Sequence, residues 1–115
     1  MAPVLVVEDD RDIRACVAEV LSAEGFRVLE AQNGRDGLTL LESERPAVVV
    51  LDLMMPVMSG WEFRLEQKCR PEVAGIPVIV MTAYSSTVDA DRFLSKPFDV
   101  DELVEAVHQL AARGS

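Results

Sequence analysis

Short apolar segments alternate along this chain with longer segments in which apolar residues recur every three or four positions. The apolar segments predict strands at residues 4–7, 26–30, 47–51, 77–81 and 92–95. The first and third are rich in valine and carry no polar alternation, which is typical of strands buried on both faces of a parallel sheet.

The longer segments have the spacing of helices that pack one face on a core. They cover residues 12–23, 34–44, 60–69 and 100–112. Asp10 and Ser59 are predicted to cap the first and third helices, and Arg45-Pro46 to stop the second. Regular alternation of strands and helices predicts an α/β fold with a parallel sheet and right-handed crossovers.

Length and charge narrow the class of protein. The chain has 115 residues and a net charge of −9, which indicates one domain over 1–112 and a tail or linker start at 113–115. A negative field repels phosphate backbones, so we expect no direct nucleic-acid binding and favour a cation or a basic partner. No apolar run reaches membrane-spanning length, and no signal segment is visible, so we expect a cytoplasmic protein without membrane contact. Cys16 falls on the apolar face of the first helix and is expected to be structural.

Polar side chains stand where the predicted strands end. They are Glu8, Asp9 and Asp10 after the first strand, Asp52 after the third, Thr82 after the fourth and Lys96 after the fifth. Ligands bind outside the carboxyl ends of strands in open parallel sheets. Converging carboxylates repel each other unless a positive charge lies between them, and Mg²⁺, with Mn²⁺ as the alternative ion, prefers such oxygen ligands. Together with a hydroxyl and an ammonium, these groups predict a phosphoryl-transfer site with an aspartate nucleophile.

These residues also carry a resemblance to the receiver domains of two-component response regulators. It rests on Val4-Leu5-Val6-Val7-Glu8-Asp9-Asp10, on Leu51-Asp52-Leu53-Met54-Met55-Pro56 with Gly60, on Met81-Thr82-Ala83, and on Phe93-Leu94-Ser95-Lys96-Pro97-Phe98. The motifs occur in the family's order and span essentially the whole chain. The resemblance implies a flavodoxin-like, doubly wound parallel sheet of five strands in the order 2-1-3-4-5, with a cis Lys96-Pro97 peptide.

The resemblance also implies a role for each site residue. Asp52 is the phosphoacceptor, and Thr82 and Lys96 contact the phosphoryl group. The Mg²⁺ ligands it implies are Asp9 directly, Glu8 through water, Asp52, and the backbone carbonyl of Met54.

Signalling and phosphate loss involve further positions in such a receiver. Thr82 and Phe93 occupy the switch positions, with a core-filling role as the alternative for Phe93, and Met54 and Tyr84 occupy positions that tune dephosphorylation. One departure from the family is visible: only nine residues, 83–91, separate Thr82 from the fifth strand, against about 10–12 for a helical crossover. We therefore expect the family's fourth helix to be missing or reduced to a turn near residues 86–89.

The resemblance predicts a phosphoacceptor receiver served by a histidine kinase or a histidine phosphotransfer protein. It would signal by conformational change to a downstream protein or a fused output domain, and it would be no enzyme beyond catalysing its own phosphorylation and dephosphorylation. The main alternative is a degenerate receiver that acts as a phosphorylation-independent interaction module, which the shortened crossover favours. An aspartyl-nucleophile phosphatase would need an aspartate where Met54 stands. A flavodoxin-like cofactor binder would need a phosphate loop of Ser, Thr or Gly after the first strand.

Overall fold

A computed structural model of the protein describes residues 2–83 and 90–113. The described elements, in chain order, are β1 (Val4–Val7), α1 (Arg11–Ala23), β2 (Val28–Ala31), α2 (Gly34–Glu44), β3 (Val48–Asp52), α3 (Gly60–Lys68), β4 (Val78–Thr82), β5 (Arg92–Ser95) and α4 (Val100–Arg113). The strands form one sheet in the order β2-β1-β3-β4-β5, and every neighbouring pair is parallel. The predicted flavodoxin-like topology is confirmed.

The crossover from β4 to β5 spans residues 83–91. The described residues of that crossover, Ala83, Ala90 and Asp91, are not helical. The turn predicted near residues 86–89 lies outside the described residues. At the other end, α4 includes Arg113, which the sequence had placed in the tail.

Helix ends follow the local chemistry that the sequence predicts. The Asp10 carboxylate accepts two backbone N–H groups of the first turn of α1, at 2.9 and 3.1 Å. Ser59 and Glu62 form a reciprocal capping box at the start of α3. Arg45, with a φ of 44°, ends α2 in the left-handed conformation just before Pro46.

The core forms in two layers, one on each face of the sheet. Alternate strand residues such as Val50 and Met81 pack with α1 and α4, while Leu51 and Val80 pack with α2 and α3. The inner face of α1 is made by Val17, Ala18 and Leu21. Cys16 is exposed, so its predicted structural role is wrong, because the buried stripe of α1 is narrower than the apolar spacing suggests. None of the helices in the described ranges has the length and apolar character to cross a bilayer.

Asp91 fixes the start of β5. Its N–H donates to the Val78 carbonyl at 3.0 Å, and its carboxylate Oδ2 accepts the Val78 N–H at 2.8 Å. Val78 is fully buried, so this N–H depends on Asp91 for its partner. Asp91 therefore anchors the edge strand β5 to β4 at the end of the crossover.

We predict that Asp91→Ala lowers the free energy of unfolding by about 1–2 kcal/mol, because a buried donor loses its acceptor. Urea unfolding measures the change. Glu72→Ala, which removes an exposed carboxylate from the loop before β4, serves as the control. Equal effects of the two substitutions would mean that the contact with Val78 contributes nothing.

Candidate functional site

Three of the predicted charged residues lie at the ends of strands, on the carboxyl edge of the sheet. Glu8 follows β1, Asp52 ends β3, and Lys96 follows β5. The Lys96 ammonium Nζ donates to Glu8 Oε1 at 2.7 Å and to Asp52 Oδ1 at 3.2 Å. Lys96 thus pairs with Asp52, and its shorter contact is with Glu8, which the sequence did not reveal.

Burial makes these charges interdependent. Glu8 is 0% exposed and Asp52 4% exposed, and two such carboxylates repel each other and lose hydration. Burial raises the pKa of Glu8 to about 7, against the opposing hydrogen bond from Lys96. Burial alone would lower the pKa of Lys96, but its hydrogen bond to Glu8 and the nearby carboxylates raise it. Lys96 is therefore charged at neutral pH and compensates the buried acids.

The acidic residues fit a hard divalent cation. Glu8, Asp9 and Asp52 each offer one carboxylate oxygen, and these oxygens lie within 4.8 Å of one another. All are hard oxygen donors, which Mg²⁺ and Mn²⁺ accept alongside retained waters. Asp9 is exposed while the other two are buried, so the cluster has a side open to solvent.

The remaining predicted site residues have different surroundings. Thr82 ends β4 at the same edge and is 8% exposed, and its carbonyl accepts the Lys96 N–H at 2.9 Å. Phe93 is 44% exposed on β5, so the alternative that it fills the core is wrong; Leu94 does so instead. Met54 lies two residues beyond Asp52 with its side chain 57% exposed. Tyr84 lies outside the described residues.

Two glycines hold the loop that follows Asp52. Gly60 donates its N–H to the Leu53 carbonyl at 2.9 Å, and a Cβ on it would lie 2.6 Å from the Asp52 carbonyl oxygen. A Cβ on Gly34 would lie 2.8 Å from the Met58 carbonyl oxygen. Gly60 and Gly34, the first residues of α3 and α2, therefore lie so close to this loop that neither position has room for a Cβ.

Between these two contacts the loop turns sharply at Val57. The Met58 N–H donates to the Pro56 carbonyl at 2.7 Å, which closes a three-residue turn. Val57 at its centre has a φ of 69° and is 68% exposed. A γ-turn with positive φ is rare and strained, and a β-branched residue fits it poorly.

The Lys96-Pro97 peptide is cis, as the resemblance implied. The Lys96 N–H donates to the Thr82 carbonyl, and its ammonium donates to Asp52. The carboxyl ends of three neighbouring strands are linked through this one residue.

Comparison with known proteins agrees with the fold. The family model for the response regulator receiver domain matches residues 4–108. Response regulator MprA of Mycolicibacterium vanbaalenii is 38% identical over 118 aligned residues, covering 96% of this chain and 50% of that protein. Sporulation initiation phosphotransferase F of Bacillus subtilis is 38% identical over 112 residues, covering 90% of this chain and 89% of that protein. The solved chemotaxis protein CheY4 of Vibrio cholerae has a TM-score of 0.88 at 30% identity, covering 96% of this chain and 98% of that one.

A doubly wound parallel sheet with an acidic cluster and a lysine at its carboxyl edge defines a signalling module of the two-component type. The chain belongs to the family of response regulator receiver domains. Members of this family bind Mg²⁺ at an acidic pocket, interact with histidine kinases or phosphotransfer proteins, and are generally not enzymes. The chain spans about half the length of MprA and nearly the full length of phosphotransferase F.

We predict that Gly60→Ala lowers the free energy of unfolding by about 2 kcal/mol, because the new Cβ must push against the backbone that carries Asp52. Chemical unfolding of the purified variants measures this. The matched control is Gly75→Ala, since a Cβ there meets no heavy atom within 4 Å; we expect a change within about 0.5 kcal/mol. An unchanged Gly60→Ala protein would show that the close approach is not required.

Proposed function

We propose that this domain accepts a phosphoryl group on Asp52 from a histidine kinase or a histidine phosphotransfer protein, in a Mg²⁺-dependent reaction. The observation that carries the proposal is the position of the Lys96 ammonium, bound at once to Asp52 and Glu8. Membership of the receiver family supports the same conclusion.

The chemistry assigned to Asp52 is nucleophilic attack by a carboxylate oxygen on phosphorus. An O–P bond forms and the P–N bond of the phosphohistidine breaks, with its electron pair passing to the ring nitrogen. A donor ring protonated on its other nitrogen leaves as neutral imidazole. Mg²⁺, when bound, supplies charge neutralisation on the phosphoryl oxygens.

Lys96 and Thr82 have complementary roles in this scheme. Before transfer, the hydrogen bond from Lys96 orients the Asp52 carboxylate. After transfer the carboxylate has become an acyl phosphate, and the ammonium can donate to a phosphoryl oxygen instead. The Thr82 hydroxyl, at the end of the adjacent strand β4, donates to another.

The charge of the cluster suits a divalent ion. If all three carboxylates are ionised, they and the one ammonium leave two negative charges at the edge of the sheet. Burial favours protonation of Glu8, and a bound cation opposes that by stabilising the carboxylate. The ligands we assign are Asp9 directly, Glu8 through water, Asp52, and the Met54 carbonyl.

Thr82 and Phe93 are the proposed switch residues, whose conformational change transmits the signal. Both lie on the strands next to Lys96, and Phe93 has an exposed ring that can change its position. The receiving partner is a downstream protein or a fused output domain. Because the crossover before β5 is shortened, the surface that changes is formed by the strand ends rather than by the family's fourth helix.

A second candidate function is that of a degenerate receiver that binds partners without phosphorylation. The observation that favours it is the same crossover, whose described residues are not helical. The acidic cluster and the lysine favour the phosphoacceptor, since an interaction module has no need of buried carboxylates.

Incubation with acetyl phosphate and Mg²⁺ should add the mass of one phosphoryl group to the wild-type protein. Intact mass spectrometry should find no gain in Asp52→Asn or in the presence of a chelator, because the nucleophile or the charge neutralisation is then missing. Asp12→Asn, which changes an exposed aspartate in the first turn of α1, should be modified like the wild type. Absence of any gain in the wild type would favour the degenerate receiver.

We predict that the double substitution Met54→Asn with Tyr84→Glu speeds loss of the phosphoryl group by about 10-fold, or about 1.4 kcal/mol of barrier. Hydrolysis needs a water in line with the scissile bond, and polar groups at these positions can orient it. The mass assay, followed over time after removal of the donor, gives the rate. Leu65→Asn, at an exposed position on α3 outside this loop, is the control, and a double variant that decays at the wild-type rate would refute the tuning role.

A further inference from the structure

We propose that Arg14 is a positioning residue that fixes the backbone carrying Asp9. Asp9 is one of the three carboxylates, with Glu8 and Asp52, that could hold the cation. This inference rests on the proposed Mg²⁺ function. The Arg14 guanidinium Nη1 donates to the Glu8 carbonyl oxygen at 2.9 Å. Its Nε faces Glu30 Oε1 at 3.4 Å, and the Arg14 side chain is only 18% exposed.

The carbonyl that Arg14 binds belongs to the peptide bond between Glu8 and Asp9. The orientation of this peptide sets the direction in which the Asp9 side chain leaves the chain. Glu8 itself is held independently, by its N–H to the Ala31 carbonyl at 3.1 Å and by its carboxylate to Lys96. Within residues 2–83 and 90–113 the Asp9 carboxylate has no hydrogen bond, so its position depends on the backbone beside it.

The turn between β1 and α1 is closed from the helix side by the same arginine. Asp10 donates its N–H to Glu8 Oε2 at 3.3 Å and caps α1. The Arg14 N–H donates to the Asp10 carbonyl at 2.9 Å, and its guanidinium returns to Glu8. Glu30 on β2 orients that guanidinium from behind. The geometry calls for a planar group with donors on separate nitrogens, which arginine has and lysine lacks.

The direction in which Mg²⁺ affinity changes when Arg14 is replaced distinguishes a positioning role from a purely electrostatic one. Arg14 is a positive charge near a cation site, so its Coulomb effect alone weakens cation binding, and its removal would tighten it. Loss of a group that orients a metal ligand weakens binding, typically by 10–100-fold. The two explanations therefore predict opposite changes in Mg²⁺ affinity.

The experiment is calorimetric titration of the full chain with Mg²⁺, and separately with Mn²⁺, at fixed ionic strength. We expect Arg14→Met to weaken binding by about 10-fold. The matched control is Arg11→Met, which removes the same charge from an exposed position on the same helix; we expect unchanged or slightly tighter binding. Arg14→Lys keeps the charge and one donor and should bind with an intermediate affinity, and it keeps the test decisive if Arg14→Met does not fold.

Thermal unfolding of each variant without divalent ions reports whether the fold is intact. Affinity for Arg14→Met equal to or tighter than the wild type, or wild-type affinity for Arg14→Lys, would overturn the positioning role while the proposed function stands. A wild-type chain that binds neither ion, or binding that Asp9→Ala leaves unchanged, would overturn the proposed cation site and this inference together.

Discussion

The contact of one partly buried ammonium with two buried carboxylates governs the carboxyl edge of this sheet. Glu8 and Asp52 are both withdrawn from water, and burial together with the nearby Asp52 carboxylate raises the pKa of Glu8. Lys96 offsets this by donating to both at once. Removal of Lys96 would leave both carboxylates without their countercharge, and breaking a buried ion pair in this way costs about 3–5 kcal/mol. The ends of β1, β3 and β5 must therefore keep their relative positions for the site to exist.

The rest of the architecture supplies those positions. Parallel pairing places the ends of neighbouring strands at one edge, and residues buried on both faces lock the register of the central strands. Gly34 and Gly60 then let α2 and α3 begin directly against the loop that follows Asp52. Arg14 and Asp10 hold the turn that follows β1, since Arg14 donates to the Glu8 carbonyl and Asp10 caps α1. The site is thus supported from both layers of helices rather than by the sheet alone.

Much of this could be predicted from the sequence, because the informative signals are local or repeated. Valine runs predicted strands, and Asp10 and Ser59 predicted helix starts. The positions of Asp52, Thr82 and Lys96 at strand ends predicted that they lie at one edge of the sheet. Other contacts join residues far apart in the chain, as between Lys96 and Glu8, and no local pattern specifies them. Cys16 illustrates a different limit, since apolar spacing predicts which face of a helix is buried but not how wide the buried stripe is.

The sharp turn at Val57 has a consequence for how easily the loop after Asp52 can be remodelled. A residue held at positive φ costs about 1–3 kcal/mol and persists only where surrounding contacts dictate it; here Met58 against Gly34 and Leu53 against Gly60 are such contacts. The exposed Val57 side chain returns little of that free energy through burial. Any alternative path for residues 53–59 that frees Val57 recovers the stored strain. The ground state of this loop is therefore raised in free energy. Rearrangement of the loop next to Asp52, the proposed phosphoacceptor, then has a smaller free-energy cost to overcome.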